Sequence, residues 1–546
     1  MIIKFQDKKI RRTEPIKVSE FAKEAIESSK FTVIACKYNN EYHSLDFEIN
    51  ESGRLELLDV SSREGMKVYM RTAVYIIGKA FEKVLPNNRL YIEYQLGNAM
   101  FCHCKDLEMT TELVRKIKKE MNEIVKKQLP IKKVTMTRKE ATKFFDETDT
   151  AKGKLQLDLK SNKKIFMYYC EEYYNYCYGT LAHNTKVFDV FDVVKHHDGF
   201  LVRCPNEIEP TQIAKFEKTK KLAWALEEYQ KIHKVLRMST VYRVNRAIET
   251  GEIKDAIMLA EALHEKKIAN IADDIAKKDG IKMILIAGPS SSGKTTFAQR
   301  LGIQLRLNGL KPVNISVDNY FVERQDTPRD KNGHYDFENI EAIDLKLFNS
   351  HLIKLLKGKE VEMPEFDFVE GTKRYNGKML KLAENEILVI EGIHCLNDKL
   401  TSLIAKENKY KIYISALTVL NMDRYNRIST TDTRLLRRMV RDFQFRGYSA
   451  IHTLNTWHKV IEGEQKNIFP YQEQANKIFN TSLIYELNAL KPVAMKLLGE
   501  IDNSEPQYAE AQRLIDMLKY FKDIPKEYIP RNSLLKEFLG GGDFKY

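Results

Sequence analysis

The stretch GPSSSGKTT, Gly288 to Thr296, has the spacing G-x-x-x-x-G-K-[ST]. In that pattern a glycine-rich bend presents successive backbone N–H groups to a phosphate, and a lysine reaches the same anion. Gly288 and Gly293 allow the tight bend, and Ser290, Ser291, Ser292 and Thr296 complete it. Lys294 is placed to reach the β- and γ-phosphates of a nucleoside triphosphate, and Thr295 to offer a hydroxyl to Mg2+. The bland alternative is a strand-to-helix turn that holds no nucleotide, so the surroundings decide.

Three further groups lie downstream. Asp318 closes the run NISVD, where a carboxylate at a strand end could accept a proton from an attacking hydroxyl; a capping aspartate is the alternative. Glu391 ends ILVIE, in the position of an acid aimed at Mg2+ or its waters. RLLRRMVRDFQFRG carries Arg434, Arg437, Arg438 and Arg441 at three- and four-residue spacings, on one stripe of a helix, with Arg446 beyond. Arginine stays charged and binds phosphate bidentately, although a solvated basic face is the usual reason for such a stripe.

The elements that must hold these residues are legible from Gly280 onward. KMILIAG, PVNISVD, EILVIEG and KYKIYISA are short apolar runs separated by helical stretches, the first helix carrying Phe297, Leu301 and Leu305 on one face. Strands alternating with helices predict an α/β fold, a parallel sheet flanked by helices, over residues 281–546. At 546 residues the chain is too long for a single core. Residues 1–60 read as a β-grasp unit with a helix over VSEFAKEAIESS capped by Ser19, residues 61–210 as an α+β domain, and 211–280 as a helical connector.

A net charge of +13 suits phosphate-bearing ligands or nucleic acid, though dispersed lysines on solvated faces explain most of it. None of the seven cysteines forms a C-x-x-C pair, so a zinc ribbon or thioredoxin-type site has no support. The start MIIKFQDKKIRR lacks the apolar stretch of a signal peptide, and no apolar run nears the roughly 20 residues of a membrane span. A cytoplasmic protein without a membrane partner is expected.

From about residue 281 to 487 the chain resembles the uridine kinase and phosphoribulokinase group of P-loop kinases. The carriers are GPSSSGKTT, SVDNYF, YDFENIEAID, MPEFDFVEGTKR, ILVIEGI and RRMVRDFQFRG, in that order. The resemblance implies ATP and Mg2+ as cofactors and transfer of the γ-phosphate to a nucleoside 5′-hydroxyl. It implies Asp318 as the base, Asp336 as a contact to the ribose, and Arg437, Arg438, Arg441 and Arg446 over the phosphates, with Thr295 and Glu391 toward the metal. Pyrimidine ribonucleoside kinases carry a Tyr and a His around the base. In this chain Phe366 stands for the Tyr and Gly371 for the His, while Asp367 and Arg374 persist. Phe366 keeps a face to stack on a base, but the hydrogen bonds that read uracil or cytosine are lost.

Roughly residues 1–210 resemble the TGS domain and second additional domain of threonyl-tRNA synthetases. Aligning MRTAVYIIGKA on the H-x-x-x-H editing helix of those enzymes puts Arg71 and Tyr75 at the two positions, and neither does the work of an imidazole. The front half is therefore expected to bind or assemble rather than catalyse, and the full order resembles the long bacterial nucleoside kinases. Two rivals stay open: an RNA- or tRNA-binding regulator with an ATP switch, and a kinase of another small hydroxyl substrate such as a phosphosugar. Homo-oligomerisation is open too.

Overall fold

The computed structural model describes residues 1–148, 152–159, 163–215, 219–330, 333–367, 370–418 and 420–545, without the side chains of 230–234. Phe368 and Val369, within the MPEFDFVEGTKR stretch, lie outside the described residues.

The first unit is a five-stranded mixed sheet. Its strand Ile2–Phe5 pairs antiparallel with Lys8–Arg11 and parallel with Gly53–Asp59, and Val33–Tyr38 continues beyond the latter. The helix expected over VSEFAKEAIESS is split into Val18–Phe21 and Lys23–Glu27, and Lys17 rather than Ser19 stands at the N-cap. The backbone explains this: Val18 and Ser19 donate their N–H groups to the carbonyls of Phe47 (3.0 Å) and Leu45 (2.8 Å), so no side-chain cap is needed there.

Helix α1, Arg63–Val84, starts from Ser62, whose hydroxyl accepts from the Gly65 N–H at 3.1 Å. Its apolar face shares a core with an antiparallel sheet of four strands, Asp192–His196, Gly199–Arg203, Ala99–Cys104 and Leu90–Leu96. Three helices follow, Lys220–Val235, Val241–Thr250 and Ile253–Ala276. The last buries Ile268, Ile271 and Ile275 against the sheet of the back half, so the connector is part of that half's packing.

The back half is built on five strands, β1 Met283–Ala287, β2 Lys311–Ser316, β3 Glu386–Glu391, β4 Lys409–Ser415 and β5 Lys477–Asn480. Their order is β2-β3-β1-β4-β5, with every pairing parallel. Alternate residues of β1 serve opposite faces: Met283, Leu285 and Ala287 join one core, Ile284 and Ile286 the other. Helix α2, Lys294–Leu307, covers the second face with Phe297, Leu301 and Leu305, all fully buried as their spacing predicts. Helices α3 (Thr430–Arg446) and α4 (Ala450–Asn467) and the short α5 (Lys536–Leu539) complete the parts that matter for the site. All seven cysteines are free and buried, and no helix among the described residues is long and apolar enough to cross a membrane.

The register of the sheet fixes the site's position. Glu391 at the end of β3 lies opposite both Ile286 of β1 and Ser316 of β2, so the loops after β1 and β2 leave the sheet side by side. Gly288, the first residue after β1, is needed there for space: a Cβ would stand 2.2 Å from the Ile414 carbonyl oxygen of β4. Gly288→Ala is therefore expected to force β1 and β4 apart and to lower stability by about 1–3 kcal/mol. Calorimetric melting checks this, and an unchanged melting temperature would contradict the tight contact.

Candidate active site

Between β1 and α2 the backbone turns through left-handed conformations at Ser291 (φ 58°) and Gly293 (φ 88°). The turn points the N–H groups of Gly293, Lys294 and Thr295 outward, where they donate to no described residue. The hydroxyls of Ser291 and Ser292 are buried and also lack a partner. Unmet donors at a helix N-terminus form an anion site, and these residues fit a triphosphate on that ground. Lys294 is folded back meanwhile, its Nζ donating to the carbonyls of Gly288 (3.1 Å) and Pro289 (3.4 Å).

Two residues of this stretch are occupied by the protein itself. The Ser290 N–H donates to Glu464 Oε1 at 2.8 Å. Thr296 gives both its N–H (3.1 Å) and its hydroxyl (2.7 Å) to Glu537 Oε2 of α5, so it caps α2 internally instead of facing a nucleotide. Leu534 packs against Gly293 from the same tail.

Asp318 follows β2 within a single helical turn, Val317–Tyr320. Val317 and Tyr320 are buried, whereas Asp318 is exposed. Solvent reaches this residue, yet protein crowds its carboxylate. That crowding raises its pKa above the usual carboxylate value, while Lys294, Arg446 and Arg441 pull it down. Glu391 is pushed up to about 7, first by burial and then by Asp318 and Glu537, against the pull of Lys294 and a hydrogen bond from Ser316. Lys294 and Asp318 thus act on Glu391, and Lys294 on Asp318, which puts the three groups in one electrostatic unit.

A fourth member escaped the sequence. Glu338 is also pushed up to about 7, by burial first, then by Glu464 and Asp318, with Arg438 and Lys294 opposing. It lies in YDFENIEAID two residues beyond Asp336, and no spacing rule singles it out. Asp336 itself is at the rim, 3.9 Å from the Lys466 Nζ. For Mg2+, no group of three or more His, Cys, Asp or Glu among the described residues is placed to hold a metal. Thr295 and Glu391 fit this ion nonetheless, because Mg2+ takes one or two protein ligands and completes its shell with phosphates and water.

The arginine stripe divides in two. Arg437, expected over the phosphates, is wholly buried. Its Nε donates to Glu486 Oε2 at 2.7 Å and its Nη1 to the Ser291 carbonyl at 3.4 Å. A guanidinium so enclosed supports the loop from behind. Arg438 donates to Ser290 Oγ at 2.9 Å. Arg438, Arg441 and Arg446 all lean on one acid, Asp442, at 3.2, 2.7 and 3.5 Å. Three cations on one carboxylate leave an excess of positive charge, and burial and then Arg441 hold the Arg446 pKa below its usual value.

On the acceptor side, Phe366 is buried against Phe321, ring centroids 5.5 Å apart, rather than presenting an open face. Asp367 and Arg374 pair with each other at 3.0 Å. Gly371 has φ 77°, and the space a side chain there would fill is held by Arg324, whose Nε is 2.6 Å from the Cβ position.

The protein-family comparison matches residues 283–484 to the "Phosphoribulokinase / Uridine kinase family". A uridine kinase of Mycoplasma genitalium is 30% identical over 180 residues, 33% of this chain and 75% of that protein. A uridine kinase of Deinococcus deserti is 30% identical over 165 residues, 30% of this chain and 70% of that protein. The N-terminal part is similar to a threonine–tRNA ligase of Clostridium novyi, 31% identical over 187 residues, 34% of this chain. The match spans only 29% of that ligase.

The two raised acids yield a sign for stability. Their folded pKa of about 7 lies above the unfolded carboxylate value, so the folded state holds more protons and loses stability as pH rises through that window. Glu338→Gln and Glu391→Gln remove the ionisation. The melting temperature of each, relative to the unaltered protein, is expected to rise between about pH 5 and about pH 8; a flat difference would show that these acids ionise normally.

Proposed function

We propose that this chain, which belongs to the phosphoribulokinase/uridine kinase family, is an ATP-dependent kinase that phosphorylates the 5′-hydroxyl of a nucleoside. Asp318 carries the assignment, as a solvent-reached carboxylate that follows β2, electrostatically joined to the P-loop lysine and made more basic than usual by its surroundings. ATP with Mg2+ supplies the phosphoryl group and divalent charge in this class of reaction.

The chain's own residues have separable tasks. The N–H groups of Gly293, Lys294 and Thr295 bind phosphate oxygens, and Lys294 exchanges two carbonyls for them. Arg438, Arg441 and Arg446 bring surplus positive charge to the transferring group, held in place by Asp442. Asp318 accepts the proton of the attacking hydroxyl. Thr295 and Glu391 would hold Mg2+ or its waters, and Asp336 would contact the ribose. Phe366, Asp367 and Arg374 shape the acceptor pocket, with Arg324 in the space a side chain at position 371 would take. Base discrimination is therefore expected to be looser than in a uridine kinase that reads the base with a histidine.

Lys294→Ala and Asp318→Asn should each lower nucleoside monophosphate formation by about 10²–10⁴-fold with the fold intact. Product formation from ATP is measured across a panel of nucleosides and phosphosugars. Undiminished turnover in either variant rejects the role of the residue replaced, and turnover confined to a phosphosugar moves the acceptor to that class.

The likeness to threonine–tRNA ligases supports a second reading, in which the front half binds RNA. The intact chain is the proper reagent, because one core joins Phe145 and Ile165 of the front to Leu514 and Phe538 of the back. Binding of tRNA that persists at about 0.15 M salt would favour it, whereas binding that vanishes steeply with salt reports only the net charge of +13.

A further inference from the structure

Where α1 of the front half faces the beginning of α3 there is a cavity of about 330 Å³. No residue from Gly288 to Thr296 lines it, and neither does Asp318. Its size falls in the roughly 300–1,000 Å³ range of small-molecule sites. Two arginines enter it from opposite halves of the chain, Arg71 from α1 and Arg427 from the approach to α3.

Neither arginine has a carboxylate partner among the described residues. The Nε of each is buried without a hydrogen bond, and Arg427 Nη1 donates to the neutral Gln95 Oε1 at 3.3 Å. Of the other charges on the wall, Lys67, Asp432 and Arg513 are already matched, while Arg63 and Glu207 have no ion pair among the described residues. Arg513 grips Asp432 (2.7 Å) and Glu510 (2.8 Å), and Lys67 also takes Glu510, at 2.8 Å. Glu207 is the remaining acid on the wall, and it pairs with neither arginine. Burial lowers the pKa of both guanidiniums, Arg427 to about 10 against the pull of Tyr178 and Glu93, and Arg71 further through Arg513 against Tyr168, Tyr178 and the more distant Glu510.

A buried guanidinium nitrogen without a hydrogen-bond partner costs stability, and two of them on the wall of one space mark a place where an anion would recover that cost. Met66, Met70 and Ile461 form an apolar part of a wall that is otherwise largely polar, with Gln95, Asn98 and Asn426 among its residues. We infer that this cavity binds a small organic anion, its phosphate or carboxylate group between Arg71 and Arg427 and its apolar body against Met66, Met70 and Ile461. The site is separate from the nucleotide cleft. It shares helices with it, since Asp432 and Gln465 line the cavity while Arg434 and Glu464, on the same two helices, hold Ser290.

The intact protein is titrated by calorimetry with phenyl phosphate and, separately, with benzoate, alongside Arg71→Met and Arg427→Gln. Saturable binding of at least one probe is expected, weakened by about tenfold or more in each variant whose circular dichroism matches the parent. Phenyl phosphate alone would identify a phosphoester site; benzoate binding as well would extend it to carboxylates. Should Arg71→Met fail to fold, Arg427→Gln decides. The inference is overturned if neither probe saturates by about 10 mM, or if both variants bind as the parent does, which would put the probe on the P-loop or elsewhere.

Discussion

Two buried ion pairs hold the phosphate-binding loop to the rest of the molecule. Arg434 is paired with Glu464 and Arg437 with Glu486, all four nearly free of solvent. Glu464 also accepts the Ser290 N–H, while Arg434 and Arg437 donate to the carbonyls of Ser290 and Ser291. Breaking a buried pair by removing one partner costs about 3–5 kcal/mol, because the other charge is left stranded. The loop's shape is thus set by the helices behind it before any nucleotide arrives. Its open N–H groups are then held in position, not assembled on demand, and electrostatic catalysis gains most from such preorganisation. The same constraint sorts the arginines: those spent on the scaffold cannot follow a phosphate, which leaves Arg438, Arg441 and Arg446.

The scaffold reaches further than the kinase sheet. Tyr176 meets Tyr520 hydroxyl to hydroxyl at 2.8 Å, Asn245 donates to the Tyr520 carbonyl at 2.6 Å, and the Ile92 N–H donates to the Arg424 carbonyl at 2.9 Å. These bonds are buried and polar, and they lie between residues hundreds of positions apart. Separating the front from the back would leave the Tyr176–Tyr520 and Ile92–Arg424 groups unmet as well as exposing apolar surface. Tail residues take part too, since Glu537 caps α2 and Leu534 packs on Gly293. A P-loop completed by the C-terminal tail, and a front half fastened to the approach of α3, make the chain one mechanical piece around the cleft.

Much of this was legible in the residues. The strand–loop–helix context of GPSSSGKTT, the position of Glu391 at a strand end, that of Asp318 just past one, and the buried face of Phe297, Leu301 and Leu305 all follow from period and spacing, which act over a few residues. What was not legible depends on distant partners. Glu338, Asp442, Glu464 and Glu537 are ordinary acids in their local context, and each gains its role from a group brought by another element. Arg437 illustrates the converse: its helical spacing matches that of Arg438 and Arg441, but Glu486 and Thr481 on the inner side draw it into the core. Ser19 has the composition of a cap and loses that place because the neighbouring turn at Leu45 and Phe47 has already supplied carbonyls.

On the proposed reading of the acceptor side, the same logic extends to specificity. Gly371 has a backbone conformation that favours glycine, and its carbonyl receives the Arg324 N–H at 2.9 Å. A histidine at 371 would meet both a strained φ and the Arg324 side chain, so the exchange of an imidazole for a glycine at this position is coupled to the arginine that fills the space. An imidazole can offer one donor and one acceptor, whereas a guanidinium offers donors alone. A group that only donates favours substrate edges rich in carbonyl or phosphate oxygen. Phe366, turned into the core against Phe321, adds bulk to that pocket without an open stacking face. On the proposed reading, these positions differ from a pyrimidine-reading site in polarity as well as in shape, with Arg324 and the Asp367–Arg374 pair as their charged groups.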